Sequence, residues 1–378
     1  MTRIYLDHAA TTPMAEEVIN TFTDEMNKEF GNASSIHQTG RSARKKLDES
    51  RTMLASSIGA NENEITITSG GTEADNYAIF GTAYARVQEG KHIITTQIEH
   101  HAVLHACNQL EREGFEVTYL PVNKEGIIEV NDLKNSLRDD TILVSVMYGN
   151  NEVGSIQPIS EIGQLLKDHP AYFHTDAVQA YGSISINVHE LNIDLLSVSS
   201  HKINGPKGIG FLYQHKGIYL KPLFYGGQQE RKKRAGTENV PAVVGFAKAV
   251  ELKQQHLEEN IIELKSLKNV FVQQLKDNGV DFTINGPKNN VLPHVLNVSF
   301  PKTDVETFLV QLDLAGIDAS SGSACTAGSI DPSHVLVAMF GEKSPELRNS
   351  VRFSFGINNT EPQVIEAANK ISKIILKS

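Results

Sequence analysis

The sequence has very little cysteine: Cys107 and Cys325 are the only two among 378 residues. Two cysteines cannot form a disulfide framework, and they are too few for a metal site built from cysteine ligands. Such sparing use fits a reducing compartment, where a single thiol can be kept for chemistry. Disulfide-stabilised secreted folds are therefore excluded, and the role of each thiol has to be found elsewhere in the sequence.

Long apolar stretches are also missing. No window reaches the ~18 apolar residues that a membrane-spanning helix needs. Near the N-terminus, the pair Asp7 and His8 interrupts the chain before an apolar segment can form, so no secretory signal is indicated. We therefore expect a cytoplasmic protein with no membrane partner.

Positive charge is in deficit, with 35 Lys and Arg against 45 Asp and Glu and a net charge of −10. A negatively charged chain is a poor default for binding phosphate backbones, so no direct nucleic-acid partner is expected. The dense basic run at 231–234 is interpreted as a solvated surface segment, with contact to RNA as the alternative. His101 and His105 have a spacing that can bind metal on a helix, but no third ligand is apparent, so no metal site is predicted.

The sequence does contain a regular alternation of short β-branched runs and longer helical patterns. Strands are predicted at 64–68, 92–98, 115–120, 141–147, 171–175 and 195–199, and the helices between them at 73–84, 101–112 and 159–167. This order predicts an α/β fold with a mostly parallel sheet covered by helices. After Val240 the pattern is helical for roughly forty residues, as expected of one or two helices that lead to a smaller domain.

Three motifs whose residues could take part in binding or catalysis lie at predicted strand ends. Residues 68–73 read TSGGTE, a glycine turn between a strand and a helix, where free N–H groups can bind an anion. An ordinary turn capped by Thr72 is the alternative, and the motif is neither a P-loop nor a complete dinucleotide fingerprint. Asp176 and Lys202 follow the next candidate strands, at the edge where open α/β sheets bind ligands. Pyridoxal phosphate requires a lysine, an acid for its ring nitrogen and a phosphate-binding turn, and these three motifs could supply them.

An ordered set of longer motifs carries a family resemblance. The motifs are EHHAV, NNEVGS, HTDAVQA, SSHKINGPKG, RAGTENV, SSGSACTAGS and VRFSFG. Together with the N-terminal stretch YLDHAATT, the set resembles the NifS/IscS-like cysteine desulfurases, relatives of the class V aminotransferases, over nearly the whole chain. The resemblance implies a PLP-dependent fold of type I, with a large domain at 15–258 and a small α+β domain formed by 1–14 and 259–378.

The resemblance also implies a role for each cofactor residue. Lys202 would hold pyridoxal 5'-phosphate and shuttle protons, Asp176 would pair with the ring nitrogen, and His100 would stack on the ring and take part in proton transfer. The other cofactor-binding residues would be Gly71, Thr72, Asn151, Gln179, Ser199 and His201, with Thr237 reaching the phosphate from the second subunit of a homodimer.

Substrate binding and sulfur transfer are implied in the same way. Arg352, with Asn151, would bind the carboxylate of L-cysteine, a task suited to a guanidinium group. Cys325 lies in a run of small residues, within a loop at about 320–333, which we expect to be mobile enough to carry sulfur as a persulfide. Cys107 has the apolar spacing of a predicted helix and is interpreted as a core residue.

Several alternatives remain open. Selenocysteine lyase or another class V enzyme would share the cofactor residues, although transamination has no use for a loop thiol. A cofactor-free scaffold for sulfur-trafficking partners is the non-enzymatic alternative. The sulfur acceptor could be a tRNA thiouridylase, an iron–sulfur scaffold or a cofactor-biosynthesis enzyme. After Leu376 the chain lacks the longer tail that some relatives use to bind a scaffold.

Overall fold

A computed structural model describes residues 3–321 and 332–376 of the chain. The strands are β1 (Ile4–Tyr5), β2 (Ile65–Thr68), β3 (His92–Thr96), β4 (Glu116–Leu120), β5 (Thr141–Ser145), β6 (Tyr172–Asp176), β7 (Leu195–Ser199), β8 (Gly210–Gln214), β9 (Thr283–Asn285), β10 (Val295–Ser299), β11 (Ile317–Asp318) and β12 (Ser350–Ser354). The α-helices are α1 (Glu16–Lys28), α2 (Gln38–Ser56), α3 (Gly71–Arg86), α4 (His101–Arg112), α5 (Val130–Ser136), α6 (Ile159–Leu166), α7 (Val240–Gln255), α8 (Leu257–Asp277), α9 (Val305–Leu314), α10 (His334–Phe340), α11 (Glu346–Asn349) and α12 (Glu361–Ile375).

Seven strands form one large sheet in the order β2-β8-β7-β6-β5-β3-β4. Strands β4, β3, β5, β6 and β7 run parallel, whereas β8 is antiparallel to both of its neighbours. Every residue of β5 and β7 is buried, because helices cover both faces of the sheet. The prediction of a mostly parallel sheet is confirmed, and it places the carboxyl ends of β6 and β7 at one edge.

A second apolar core forms around a small antiparallel sheet with the order β12-β10-β9. Helices α8 and α12 pack together against it, and its centre contains the buried rings of Phe271, Phe353 and Phe355. The helical region that begins at Val240 is divided at His256, the single residue between the end of α7 and the start of α8. The domain boundaries inferred above stay a prediction. In the described ranges, no helix has both the length and the apolar character needed to cross a bilayer.

The N-terminal segment connects the two cores. Strand β1 pairs with β11 beside the second core. The chain then passes over the turn that follows β7, where the backbone N–H and the hydroxyl of Thr12 both donate to the carbonyl of His201, at 3.0 and 2.7 Å. Residues 7–12 therefore lie across the carboxyl edge of the large sheet, although they are nearly 190 residues away from β7 in sequence.

A buried ion pair fixes the segment after β8 to the large sheet. The guanidinium group of Arg51 donates to both carboxylate oxygens of Glu230, at 2.6 and 2.7 Å, and the two side chains are only 4% and 3% exposed. Glu230 also accepts from the backbone N–H of Ile67 in β2, at 2.9 Å. Removing one partner leaves a buried charge uncompensated, which typically costs about 3–5 kcal/mol.

We therefore expect Glu230→Gln to lower the free energy of unfolding by about 3 kcal/mol, measured by urea denaturation. The matched control is Glu62→Gln, because Glu62 pairs with Arg231 at an exposed site and should contribute at most about 1 kcal/mol. Equal losses of stability in the two variants would contradict this role for the buried pair.

Candidate active site

A cavity of about 390 Å³ opens at the carboxyl edge of β6 and β7. Its lining includes ten residues that were selected from the sequence: Gly71, Thr72, His100, Asn151, Asp176, Gln179, Ser199, His201, Lys202 and Arg352. Of the two other selected residues, Thr237 is solvent-exposed and does not belong to this lining, and Cys325 lies outside the described residues.

Lys202 lies in a short 3-10 turn directly after β7. Its Nζ donates to the backbone carbonyls of Ala9 and Ala10, at 2.6 and 2.8 Å. Burial lowers the pKa of this amine to about 8, and the neighbouring Arg352 adds to the shift. A substantial part of the Lys202 population is therefore neutral near pH 7 to 8, as a nucleophilic or basic amine must be.

Asp176 is the last residue of β6, and its carboxylate points into the same cavity. One carboxylate oxygen accepts from the backbone N–H of Val178 at 2.9 Å. Burial raises the pKa of Asp176 to about 6, while the N–H of Val178 and the charge of Lys202 both favour the ionised form. A positive charge next to Asp176 would bring this pKa back toward its ordinary value and hold the group as a carboxylate.

The glycine turn between β2 and α3 lies at the other end of the cavity. Gly70 has a φ of +147°, and a Cβ at Gly71 would lie 2.8 Å from Val178, so side chains are excluded from the turn. The N-cap of α3 is Gly70 and Thr72 lies within the helix, so the alternative of a turn capped by Thr72 is wrong. The first N–H groups of a sixteen-residue helix are available here for an anion.

Neutral hydrogen-bonding groups surround the two charged residues. His100 caps α4 through its Nδ1, which accepts from the N–H of Ala102 at 3.1 Å. Burial lowers the pKa values of His100 and His201 to about 4, with a further contribution from Lys202 in both cases. Gln179 donates to the carbonyl of Ala9 at 2.9 Å and contacts His294 at 3.1 Å. These side chains therefore enter the cavity uncharged at neutral pH.

Arg352 supplies the other positive charge of the cavity. It lies in β12, and its guanidinium group donates to Asp7 Oδ1 at 2.7 Å and to the carbonyl of Asn151 at 2.9 Å. Its Nε is buried and has no hydrogen-bond partner within the part of the chain that the structure describes. The backbone of Arg352 also pairs with Ser320, the residue at which the segment containing Cys325 begins.

Sequence reasoning missed several residues of the lining, among them Ala9, Ala10, Asp75 and Ser320. Asp75 is almost completely buried on α3, and its Oδ1 lies 3.7 Å from Nε2 of His174. Burial, reinforced by the nearby Asp176, raises the pKa of Asp75 well above its usual range, which favours the neutral form of the acid. A charged residue next to Ala74 and close to Ala78, on the apolar face of the helix, was the available signal.

The basic run at 231–234 differs from the solvated segment that was expected. Arg234 forms two hydrogen bonds with Glu73, at 2.8 and 3.1 Å, on the helix that begins at the glycine turn. Arg231 donates to the carbonyl of Glu62 at 3.1 Å. Arg231 and Arg234 therefore help to hold the segment that carries Thr237 against the core around the large sheet, and the run is not wholly solvated.

This donor set fits pyridoxal 5'-phosphate. The glycine turn provides a space that a Cβ would fill, and the hydroxyl groups of Thr72 and Ser199 lie in the same lining. A buried carboxyl group and a buried amine of lowered pKa are the two remaining groups that the cofactor needs.

Comparisons with known proteins agree with this chemistry. The model of the family described as aminotransferase class V matches residues 4–366. The chain is 58% identical over 375 residues to a putative cysteine desulfurase IscS 1 from Bacillus subtilis, covering 99% of each chain. It is 47% identical to a cysteine desulfurase IscS from Dictyoglomus turgidum, covering 99% of this chain and 95% of that protein.

A solved structure described as a NifS-like protein shows the same fold. It superposes with a TM-score of 0.93 at 34% identity and covers 100% of both chains. The α/β architecture with a seven-stranded sheet is thus that of the family. The chain belongs to the class V aminotransferase family, and within it to the PLP-dependent cysteine desulfurases of the IscS/NifS type.

Proposed function

We propose that this cysteine desulfurase converts L-cysteine to L-alanine with Lys202 as its proton-transferring amine and Cys325 as its sulfur acceptor. The observation that carries the proposal is the position of Lys202. Its buried amine, with a pKa of about 8, lies in one cavity with the carboxyl group of Asp176 and the guanidinium group of Arg352.

Pyridoxal 5'-phosphate, when bound, supplies an electron-withdrawing ring that stabilises negative charge at the α-carbon of the amino acid. Lys202 removes the proton from that carbon, because its amine is held in the cavity and is partly neutral at physiological pH. Asp176 holds a proton at the ring nitrogen. The phosphate would be bound by the N–H groups that follow Gly70 together with Thr72, Ser199 and His201, and His100 would bind the ring and assist proton transfer.

Arg352 binds the carboxylate of L-cysteine and orients its side chain. The guanidinium group is buried but has an unpartnered Nε and further N–H groups, which suits a bidentate contact with a carboxylate. Asn151 lies beside it in the lining and provides a carbonyl that fixes one edge of the guanidinium group. Orientation at this point brings the substrate sulfur toward the segment that starts at Ser320.

Cys325 takes the sulfur atom. Its thiolate attacks the sulfur of L-cysteine, a new S–S bond forms, and the bond between that sulfur and Cβ breaks. The electron pair of the broken bond passes to the three-carbon fragment, which takes up a proton and leaves as L-alanine. The reaction therefore produces one persulfide on Cys325 for each L-alanine, with no external oxidant or reductant.

We also propose that the chain acts as a homodimer. Thr237 is exposed and does not line the cavity of its own chain, while its segment is fixed by the pairs Arg234–Glu73 and Arg51–Glu230. The exposed ring of Phe224 packs against the guanidinium group of Arg234, three residues before Thr237. An exposed Thr237 on a segment that is fixed in this way is suited to reach the phosphate of a partner subunit.

The dimer predicts complementation between two defective chains. Thr237→Ala should weaken cofactor binding about tenfold, through loss of a hydrogen bond to a charged group. Coexpression of differently tagged Thr237→Ala and Lys202→Ala chains should give a heterodimer that contains one fully wild-type site. We expect this heterodimer to show about half the wild-type activity at limiting cofactor, because one of its two sites is intact.

The Lys202→Ala homodimer is the baseline for that measurement. If Thr237 served its own subunit, no site in the heterodimer would combine an intact Lys202 with an intact Thr237. Activity at limiting cofactor that stayed at the level of the Thr237→Ala chain alone would then reject the dimer arrangement.

The persulfide of Cys325 is handed to a protein acceptor in the cytoplasm, for tRNA thiolation, iron–sulfur cluster assembly or cofactor biosynthesis. The test is to load the enzyme with L-cysteine, remove free substrate, and add a candidate acceptor. Mass spectrometry should then show the extra sulfur moving from Cys325 to an acceptor cysteine. Retention of the sulfur on the enzyme with every acceptor tested would contradict the donor role.

A further inference from the structure

The position of Arg352 depends on an acidic residue from the opposite end of the chain. Asp7 Oδ1 accepts from Nη2 of Arg352 at 2.7 Å, while Nη1 donates to the carbonyl of Asn151 at 2.9 Å. The Arg352 side chain is 4% exposed and that of Asp7 is 20% exposed. One edge of the guanidinium plane is therefore fixed by two contacts on different segments.

The backbone of Asp7 is itself held in place by a hydrogen bond and by pairing with β12. Tyr5 donates from its hydroxyl to the carbonyl of Asp7 at 3.0 Å. Asp7 also forms an isolated bridge with Ser354, two residues after Arg352 on β12. Because β12 carries both Ser354 and Arg352, the distance between the carboxylate and the guanidinium group is set by strand pairing and not by a flexible loop.

The charge of Asp7 is useful for a second reason. A guanidinium group that is almost fully buried beside the amine of Lys202 is costly unless an anion lies next to it. Asp176 and Asp7 both favour the protonated form of Lys202, and Asp7 is the carboxylate that forms an ion pair with Arg352 in the described ranges. Asp7 thus stabilises the buried cation while leaving the Nε of Arg352 unpartnered.

We propose that Asp7 is a positioning residue for the substrate carboxylate, acting through Arg352. The inference rests on the proposed role of Arg352 and adds the group that orients it. Asp7 fixes the guanidinium plane before substrate arrives, so that the remaining N–H groups meet the carboxylate without a loss of side-chain entropy. Asp7 makes no contact with the reacting atoms in this account.

The test compares two ligands that differ only in a carboxylate. L-Alanine and ethylamine both carry an amine, and the binding of each is followed by the absorbance change of the cofactor in the holoenzyme. Asp7→Ala should weaken L-alanine binding about tenfold and leave ethylamine binding within about twofold. The KM for L-cysteine should rise by a similar factor, with kcat within about threefold. Asp7→Asn keeps an acceptor oxygen without the charge, so its affinity for L-alanine should lie between those of the wild-type enzyme and Asp7→Ala.

Two further variants separate the possible outcomes. Asp313→Asn removes a carboxylate that pairs with Arg3 on the surface, and it should leave the binding of both L-alanine and ethylamine unchanged. Arg352→Gln should abolish the preference for L-alanine; if it does not, the role proposed for Arg352 fails. If Arg352→Gln abolishes the preference but Asp7→Ala leaves it unchanged, or tightens L-alanine binding, the positioning role of Asp7 alone is overturned. Equal weakening of both ligands in Asp7→Ala would indicate general damage and would also overturn it.

Discussion

Replacing Cys325 by Ser is expected to reduce the formation of L-alanine from L-cysteine by at least about a thousandfold. A hydroxyl group cannot accept the substrate sulfur, so the bond between sulfur and Cβ is not broken. The cofactor absorbance should stay unchanged, because the cofactor residues lie in the cavity at the ends of β6 and β7. The measurement is L-alanine released per minute, together with protein-bound sulfur.

Cys107 provides the matched control for that substitution. It is fully buried in the apolar core around α4, and burial raises the pKa of its thiol far above the usual range. This confirms its interpretation as a core residue, and it makes the thiolate inaccessible. Cys107→Ala should therefore keep normal turnover. Normal L-alanine release by Cys325→Ser would contradict the role of Cys325 as sulfur acceptor. Loss of L-alanine release in a folded Cys107→Ala variant would contradict the structural role of Cys107.

Lys202→Ala should have the other very large effect, a loss of turnover of about a thousandfold or more. In the proposed mechanism, the variant lacks both the amine that attaches the cofactor and the base that removes the proton at Cα. Borohydride reduction of the wild-type holoenzyme should fix the cofactor on the peptide that contains Lys202. The same treatment of Lys202→Ala should leave no cofactor on the chain.

Lys268 is a close physical match for Lys202. Burial lowers its pKa to about 8, and its Nζ donates to the backbone carbonyls of Leu292 and Val295, at 3.2 and 3.4 Å. It does not line the active-site cavity. Lys268→Ala should therefore keep the cofactor attached and turnover within about threefold. Loss of attachment in this variant, or cofactor fixed on Lys268, would show that a buried amine alone, and not its place at the end of β7, determines reactivity.

Much of the fold could be predicted because its signals are local. The bounds of α4 and β7 agree with the predicted helix at 101–112 and the predicted strand at 195–199, and the strand predicted at 141–147 contains the buried β5. Strand β8 was not predicted, because its short run follows a turn rich in glycine and proline. Its antiparallel pairing with β2 and β7 is a long-range feature that no local pattern contains.

Part of the site could be predicted from strand order, whereas its long-range contacts could not. Lys202, Asp176 and the glycine turn follow strands whose carboxyl ends meet at one edge, so their proximity could be inferred from strand order. The contacts of Ala9 with Lys202 and of Asp7 with Arg352 join residues that are 193 and 345 positions apart. A backbone carbonyl such as that of Ala9 carries no side-chain signature, and the carboxylate of Asp7 is separated from Arg352 by almost the whole chain, so both contacts become visible only in the folded chain.

In the proposed reaction, sulfur leaves L-cysteine by transfer to Cys325. One turnover of the holoenzyme with L-cysteine, followed by alkylation, proteolysis and mass spectrometry of the peptides, tests this transfer. We predict the added mass of one sulfur atom on the peptide that contains Cys325, in a one-to-one ratio with L-alanine released. L-Alanine formed without that added mass, or the added sulfur found on Cys107, would contradict the account.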